Sequence, residues 1–202
     1  RVKVTITEDL AHVWVTADHH FANGNIIGFC DRPFENILDM DQTLIDNWNE
    51  VVRPQDLIIH LGDFTLGEGK QAQFYFSQLN GDICILSYPW HHDQRWLKTG
   101  LPLKSKSGFD VRLWPSMVVL EVPELGKNGY PLAITLCHYP MAQWDRNHHG
   151  AWHLHGHSHG NYRHTSEDDY GNVALDIGVD CQHYYPINLG GVLDIMYVRG
   201  WT

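Results

Sequence analysis

Histidine and aspartate gather in five short islands along the 202-residue chain: Asp18-x-His20, Gly62-Asp63, His91-His92-Asp93, Cys137-His138 and Gly156-His157-x-His159. Imidazoles and carboxylates are the ligands of divalent ions such as manganese, zinc, iron and nickel. The islands hold enough of them for two ions. Two metals about 3.5–4 Å apart can share a bridging hydroxide and clamp phosphoryl oxygens while that hydroxide attacks in line. Hydrolysis of a phosphate ester is therefore the chemistry this inventory favours. Taken singly, each island is weak, because an aspartate after a strand often merely caps a helix or turn. With 15 histidines in the chain, most single ones belong to the surface or to a satisfied core. What gives the islands weight is that each follows an expected strand. On an extended chain Asp18 and His20 would point to the same side, and the freedom of Gly156 would let two imidazoles face one cation.

The elements that must position these groups are legible from periodicity. Residues His12 to Ala17 alternate in the manner of a strand covered on both faces. A helix is expected from Met40 to Val52, with Leu44, Ile45, Trp48 and Val52 on one face and Pro54 blocking continuation. Asp56 to Leu61 reads as a strand, Glu68 to Leu79 as a helix stopped by Asn80-Gly81, and Ile83 to Leu86 as a strand. In open α/β sheets ligands gather at the carboxyl ends of strands, and the first three islands fit that placement. In the second half, Met117 to Val122 and Leu132 to Cys137 read as strands joined by a hairpin at Gly126-Lys127-Asn128-Gly129. Trp152 to His155, Ala174 to Ile177 and Val192 to Val198 read as three further strands. The pattern predicts two sheets packed face to face with helices outside, in one domain spanning 1–202.

Lys and Arg total 14 against 24 Asp and Glu, a formal charge of −10. This balance argues against binding duplex nucleic acid, whose recognition needs a broad cationic surface. A small phosphate ester could still enter a pit made locally cationic by bound metal. Cys30, Cys84, Cys137 and Cys181 show no metal-knuckle or redox spacing and read as free thiols of a reducing cytoplasm. No signal-peptide pattern and no membrane-length apolar run is present. The oligomeric state is open.

The order of the islands resembles that of the calcineurin-like metallophosphoesterase superfamily: D-x-H, G-D, G-N-H-D/E, H and G-H-x-H. The likeness covers residues 13 to 160. Asp18-His19-His20-Phe21, Asn25-Ile26-Ile27, Arg32-Pro33-Phe34 and Leu61-Gly62-Asp63-Phe64 are similar to small bacterial and phage members. The resemblance implies a four-layer α/β/β/α sandwich of two mixed sheets with a dinuclear site at one edge. It assigns Asp18, His20 and His159 to one metal, His91, His138 and His157 to the other, and Asp63 to a bridge between them. The third island departs from the pattern, with Trp90-His91 in place of Gly-Asn. An imidazole can replace an amide oxygen as a ligand, whereas Trp90 is ill suited to a conformation that Gly accepts.

The expected activity is metal-dependent hydrolysis of a phosphodiester or small nucleotide-like phosphate ester. His92 would protonate the leaving oxygen or hydrogen-bond the phosphoryl group, and Asp93 would orient His92. Asn23, Arg32 and Arg95 are placed to meet phosphate oxygens, the planar fork of Arg being well matched to them. His153, His155, His148 and His149 are second-rank partners or loop residues, and Asp176 and Asp180 support strands or turns. Trp96, Trp114, Trp144 and Trp152 belong to packing ahead of any base-stacking wall. The competing functions are a nuclease of the same superfamily and a non-catalytic interaction module that keeps the fold.

Overall fold

The computed structural model describes residues 2–88, 92–100, 102–162 and 173–201. Strand β2 (Val13–Thr16) is buried along its whole length, as suits the apolar run Val13-Trp14-Val15 in a sheet covered on both faces. β3 (Leu57–His60), β4 (Asp82–Leu86) and β5 (Arg112–Trp114) follow it in parallel. On its other side β2 pairs antiparallel with the short β10 (Ile187–Asn188). The second sheet runs in the order β1 (Val2–Thr5), β6 (Met117–Lys127), β7 (Tyr130–Cys137), β8 (Trp152–His155) and β9 (Ala174–Asp176). Only β6 and β7 are antiparallel there. Their hairpin turns at Asn128 and Gly129, with φ of 52° and 80°, the left-handed pair that matches strand twist.

Four helices cover the outer face of the first sheet: α1 (Asn25–Phe29), α2 (Ile37–Val51), α3 (Gly69–Phe76) and α4 (Gln94–Leu97). The Asn36 side chain starts α2 by accepting from the N–H groups of Leu38 and Asp39, satisfying donors that have no partner in the first turn. Met40, Leu44, Trp48, Phe76 and Trp96 then pack onto Trp14, Ile58 and Ile83. The opposite face of this sheet, with Val15, Ile59 and Leu86, meets Val118, Leu120, Ile134 and Leu154 of the second sheet. Burying each such side chain is worth about 1.5–3 kcal/mol, so the sandwich interior dominates the stability. The chain is thus a mixed α/β protein with two mixed sheets flanked by helices. Among the described residues no helix is long and apolar enough to cross a membrane.

Two expectations change. Val192 to Val198 is the end of a helix, α5 (Leu189–Val198), rather than a strand. Leu189, Val192 and Met196 are buried along one side of it, and the Asn188 side chain caps its start at Gly191 N (2.7 Å). On the outer face of the second sheet, Thr135 and His153 lie beneath the segment 139–151. His153 Nε2 accepts from Met141 N (3.2 Å), its ring packs on Trp144 (5.3 Å), and its Nδ1 lies 3.0 Å from Thr135 O. His153 is a packing residue.

Candidate functional site

Six parallel strands end at one edge, and their loops carry the islands: β2, β3 and β4 from one sheet, β7, β8 and β9 from the other. Main-chain bonds knit these loops together. Asp18 N donates to Gly62 O (3.1 Å), His20 N to Asp63 O (2.9 Å), Gly156 N to His138 O (2.9 Å) and Val179 N to Ala17 O (3.1 Å). The last of these joins the two sheets.

Asp18 and His20 converge, but not on extended backbone. Their φ angles are 62° and 53°, and Asp63 (56°), His157 (67°) and His159 (46°) are also left-handed. Each such non-glycine residue costs of order 1–3 kcal/mol, and this strain persists only where surrounding contacts over-determine it. Gly156 also serves differently from expectation, through closeness rather than freedom. A Cβ there would lie 2.5 Å from Asp18 Oδ2, and one on Gly178 would meet the same oxygen at 2.5 Å.

The side chains form two triads. Asp18, His20 and His159 offer ligand atoms within 4.8 Å of one another, as do Asp63, His138 and His157. Asp63 Oδ2 lies 3.5 Å from His20 Nε2 and 3.4 Å from His138 Nε2, which puts it between the triads. His92 forms a further close group with His20 and Asp63, on the exposed side. His91 lies outside the described residues.

Burial sets the electrostatics. His20 is pushed down to about 3, mainly by desolvation, which keeps it neutral as a metal ligand must be. Burial holds the Asp18 carboxyl well above the usual carboxylate range, against the opposing charge of His159. Asp18 Oδ1 and both ring nitrogens of His20 are buried and make no hydrogen bond. Asp18 Oδ2, by contrast, accepts from His157 N (2.8 Å).

Behind the triads stand residues that the sequence reading placed elsewhere. Arg32, expected at the substrate, is buried. Its Nε and Nη2 bind both oxygens of Asp180 (2.8 and 2.7 Å), while Nη2 and Nη1 reach the carbonyls of Asp18 (2.7 Å) and His19 (3.0 Å). Asp180 in turn contacts His159 Nδ1 at 2.7 Å. Burial alone would lower the pKa of His159, but Asp180 and Asp18 outweigh it and raise it. Asp176 ties the Gly156–Gly160 loop through Ser158 Oγ (2.6 Å) and Gly160 N (3.0 Å), and its other oxygen accepts from Gly178 N (2.9 Å) in its own turn. His60 Nδ1 accepts from Gly62 N (3.0 Å). A neutral His60 therefore carries its proton on Nε2, and that proton points to His19 Nδ1 at 3.0 Å. The Tyr88 hydroxyl receives the N–H of His138.

Asp93, expected to orient His92, accepts from Phe64 N, Thr65 N and the Trp96 indole (3.0, 3.0 and 2.7 Å). It serves first as a brace between α4 and the loop that carries Asp63. Asn23 Oδ1 accepts from Asn25 N at the start of α1 (3.2 Å), and Arg95 is exposed on α4. Trp96, Trp144 and Trp152 are buried in the core and form no stacking wall. His155 is buried with its pKa lowered by desolvation, and His148 and His149 are exposed. Gly178 and Tyr88 are the supporting residues that sequence reasoning missed, while Asp180, expected to support a strand or turn, also binds His159 and Arg32. The Gly178-Val179-Asp180 run after a strand was the available signal.

No family profile matches the chain. The uncharacterized protein MJ1445 of Methanocaldococcus jannaschii is 32% identical over 189 residues, covering 91% of this chain and 90% of that protein. The chain belongs to the MJ1445 family. The crystal structure of the protein of unknown function AQ665 from Aquifex aeolicus covers 91% of this chain and 98% of its own, with a TM-score of 0.64 at 22% identity. That likeness extends the fold of this MJ1445-family chain to a bacterial protein.

Proposed function

We propose that the chain is a dinuclear metal-dependent phosphoesterase of the calcineurin-like metallophosphoesterase superfamily, acting on a small phosphodiester or nucleotide-like phosphate ester. The observation that carries this reading is the position of Asp63 between two Asp/His triads. The ligand set fits two cations of manganese, zinc, iron or nickel type. Buried Asp18 Oδ1 and the His20 nitrogens make no hydrogen bond, and an unsatisfied buried group costs about 1–3 kcal/mol, which coordination would remove. Asp18, His20 and His159 would hold one ion, His138 and His157 the other, and Asp63 both. Cations held there supply activation of water near neutral pH and stabilisation of charge on phosphoryl oxygens.

The chain's own groups supply the rest. Asp63 stands with Oδ2 within 3.5 Å of His20 Nε2 and 3.4 Å of His138 Nε2, where its negative charge would lower the repulsion between like charges. His92, exposed beside His20 and Asp63, stands where a leaving oxygen would need a proton. Asp93 holds the loop of Asp63 to the segment of His92. The net charge of −10 favours a small ester over a long polyanion. The four-layer architecture belongs to the same proposal, supported by the paired sheets and the helical layer over the first. Free thiols at all four cysteines support a reducing cytoplasmic setting.

The test is metal analysis of purified protein, followed by a panel of bis(p-nitrophenyl) phosphate, p-nitrophenyl phosphate, cyclic nucleotides and single-stranded DNA. Two equivalents of metal with diester cleavage are expected. Absence of metal after manganese or zinc loading would overturn the reading in favour of an interaction module, and preference for DNA would make it a nuclease.

A further inference from the structure

One buried guanidinium touches the support of every ligand in the first triad. Arg32 binds the carbonyls of Asp18 and His19, in the two successive peptides that join Asp18 to His20, and so fixes the main chain from which those ligands project. Through Asp180 it reaches His159 Nδ1. Arg32 and Asp180 lie 148 positions apart in the chain, yet all three ligands share this one pair. The contact between Asp180 and Nδ1 leaves His159 Nε2 as the nitrogen available to a cation.

We propose that Arg32 and Asp180 act as a positioning pair that sets the geometry and affinity of the Asp18/His20/His159 half-site, and of that half-site alone. The proposal rests on the dinuclear reading above. Charge balance is part of the design, because the carboxylate neutralises a guanidinium that would otherwise repel an incoming cation. The same carboxylate lies in a group with Cys30 and His159, but with Arg32 already paired to Asp180 that group offers little excess negative charge to a third ion. Lys at position 32 cannot reproduce two parallel bonds to Asp180 together with two bonds to carbonyls. Asn at position 180 keeps the shape and an acceptor, but it leaves the guanidinium without its counter-charge.

The experiment is manganese binding by equilibrium dialysis on the whole chain, read by elemental analysis, with the thermal midpoint of the metal-free protein measured alongside. The parent is expected to bind two equivalents. Asp180→Asn and Arg32→Lys should weaken one equivalent by 10–100-fold, the usual consequence of losing the outer partner of a metal-bound histidine, and leave the other unchanged. Since breaking a buried ion pair can also unfold a chain, the double variant Arg32→Met with Asp180→Leu is the decisive one. Apolar replacement of both members leaves no unpaired charge, so the double variant should stay folded, with a midpoint lowered by the Asp18 and His19 carbonyls that lose Arg32, while the same single equivalent weakens. Parental affinity for both equivalents in a folded double variant would overturn the proposal. Equal weakening of both would overturn it too, by making the pair a general scaffold. A parent that binds no cation would instead sink the phosphoesterase reading, and this inference with it.

Discussion

Replacing Gly178 with Ala puts the proposed site to a sharp test. The new methyl would lie 2.5 Å from Asp18 Oδ2 and 3.0 Å from Asp176 Oδ1. Ordinary contact begins near 3.4 Å, so Asp18 must retreat by about 0.9 Å. Retreat is obstructed, because the same oxygen holds the His157 N–H (2.8 Å) and abuts Gly156. The cost in folding is that of overpacking, about 1–3 kcal/mol. The cost in turnover is larger, since a displacement of about 1 Å in a catalytic constellation can remove roughly 100-fold. The assay is manganese-dependent hydrolysis of bis(p-nitrophenyl) phosphate with metal stoichiometry on the same samples. Gly28→Ala is the control: its Cβ meets nothing within 4 Å, and it should leave turnover unchanged while stabilising α1 by about 0.5–1 kcal/mol. Parental turnover and two full equivalents of metal in Gly178→Ala would refute the placement of Asp18 in the site.

His92→Ala should lower kcat by roughly 100-fold or more, the range of a lost proton donor, with metal content near the parent's; loss of metal would mark His92 as a ligand. Removing metal with a chelator should lower the melting temperature by about 5–10 °C, from about 2.7 kcal/mol of linkage at a hundredfold excess over Kd and the slope expected for a chain of this size. A calorimetric midpoint indifferent to manganese would count against a site inside the folded edge. Asp41 gives a pH prediction away from the ligands. Burial raises its pKa above the usual carboxylate value, against the hydrogen bond from the Tyr75 hydroxyl (2.6 Å). A group raised in the folded state favours folding below its unfolded pKa, near 3.8, and loses that contribution as pH climbs through the folded value. The stability of Asp41→Asn relative to the parent should therefore be greater at pH 7 than at pH 3.5, and urea denaturation showing the opposite slope would contradict the burial argument.

The strands β2, β3 and β4 were legible because a sheet covered on both faces calls for short, near-continuous apolar runs, and Val13–Val15, Leu57–Ile59 and Ile83–Leu86 are such runs. The ligand islands were legible because they sit where those strands stop. Helix α5 was not, since an apolar run such as Val192 to Val198 has no periodicity that separates strand from helix; the Asn188 cap was the neglected clue. The left-handed backbone at Asp18 and His20 was hidden for a different reason. It is imposed by hydrogen bonds to Gly62 and Asp63 on a neighbouring strand's loop, and nothing local to Asp18-His19-His20 encodes it. Arg32 misled because an arginine near a ligand motif looks like an anion receptor, while its true partner, Asp180, lies 148 positions away.

Each triad draws members from both sheets: Asp18 and His20 follow β2 while His159 follows β8, and Asp63 follows β3 while His138 and His157 follow β7 and β8. An ion captured by either triad would thus be a rivet through the seam between the two sheets. Proteolytic nicking at that seam should consequently track the protein's loading history, and an emptied molecule should open like a book along its unbound margin.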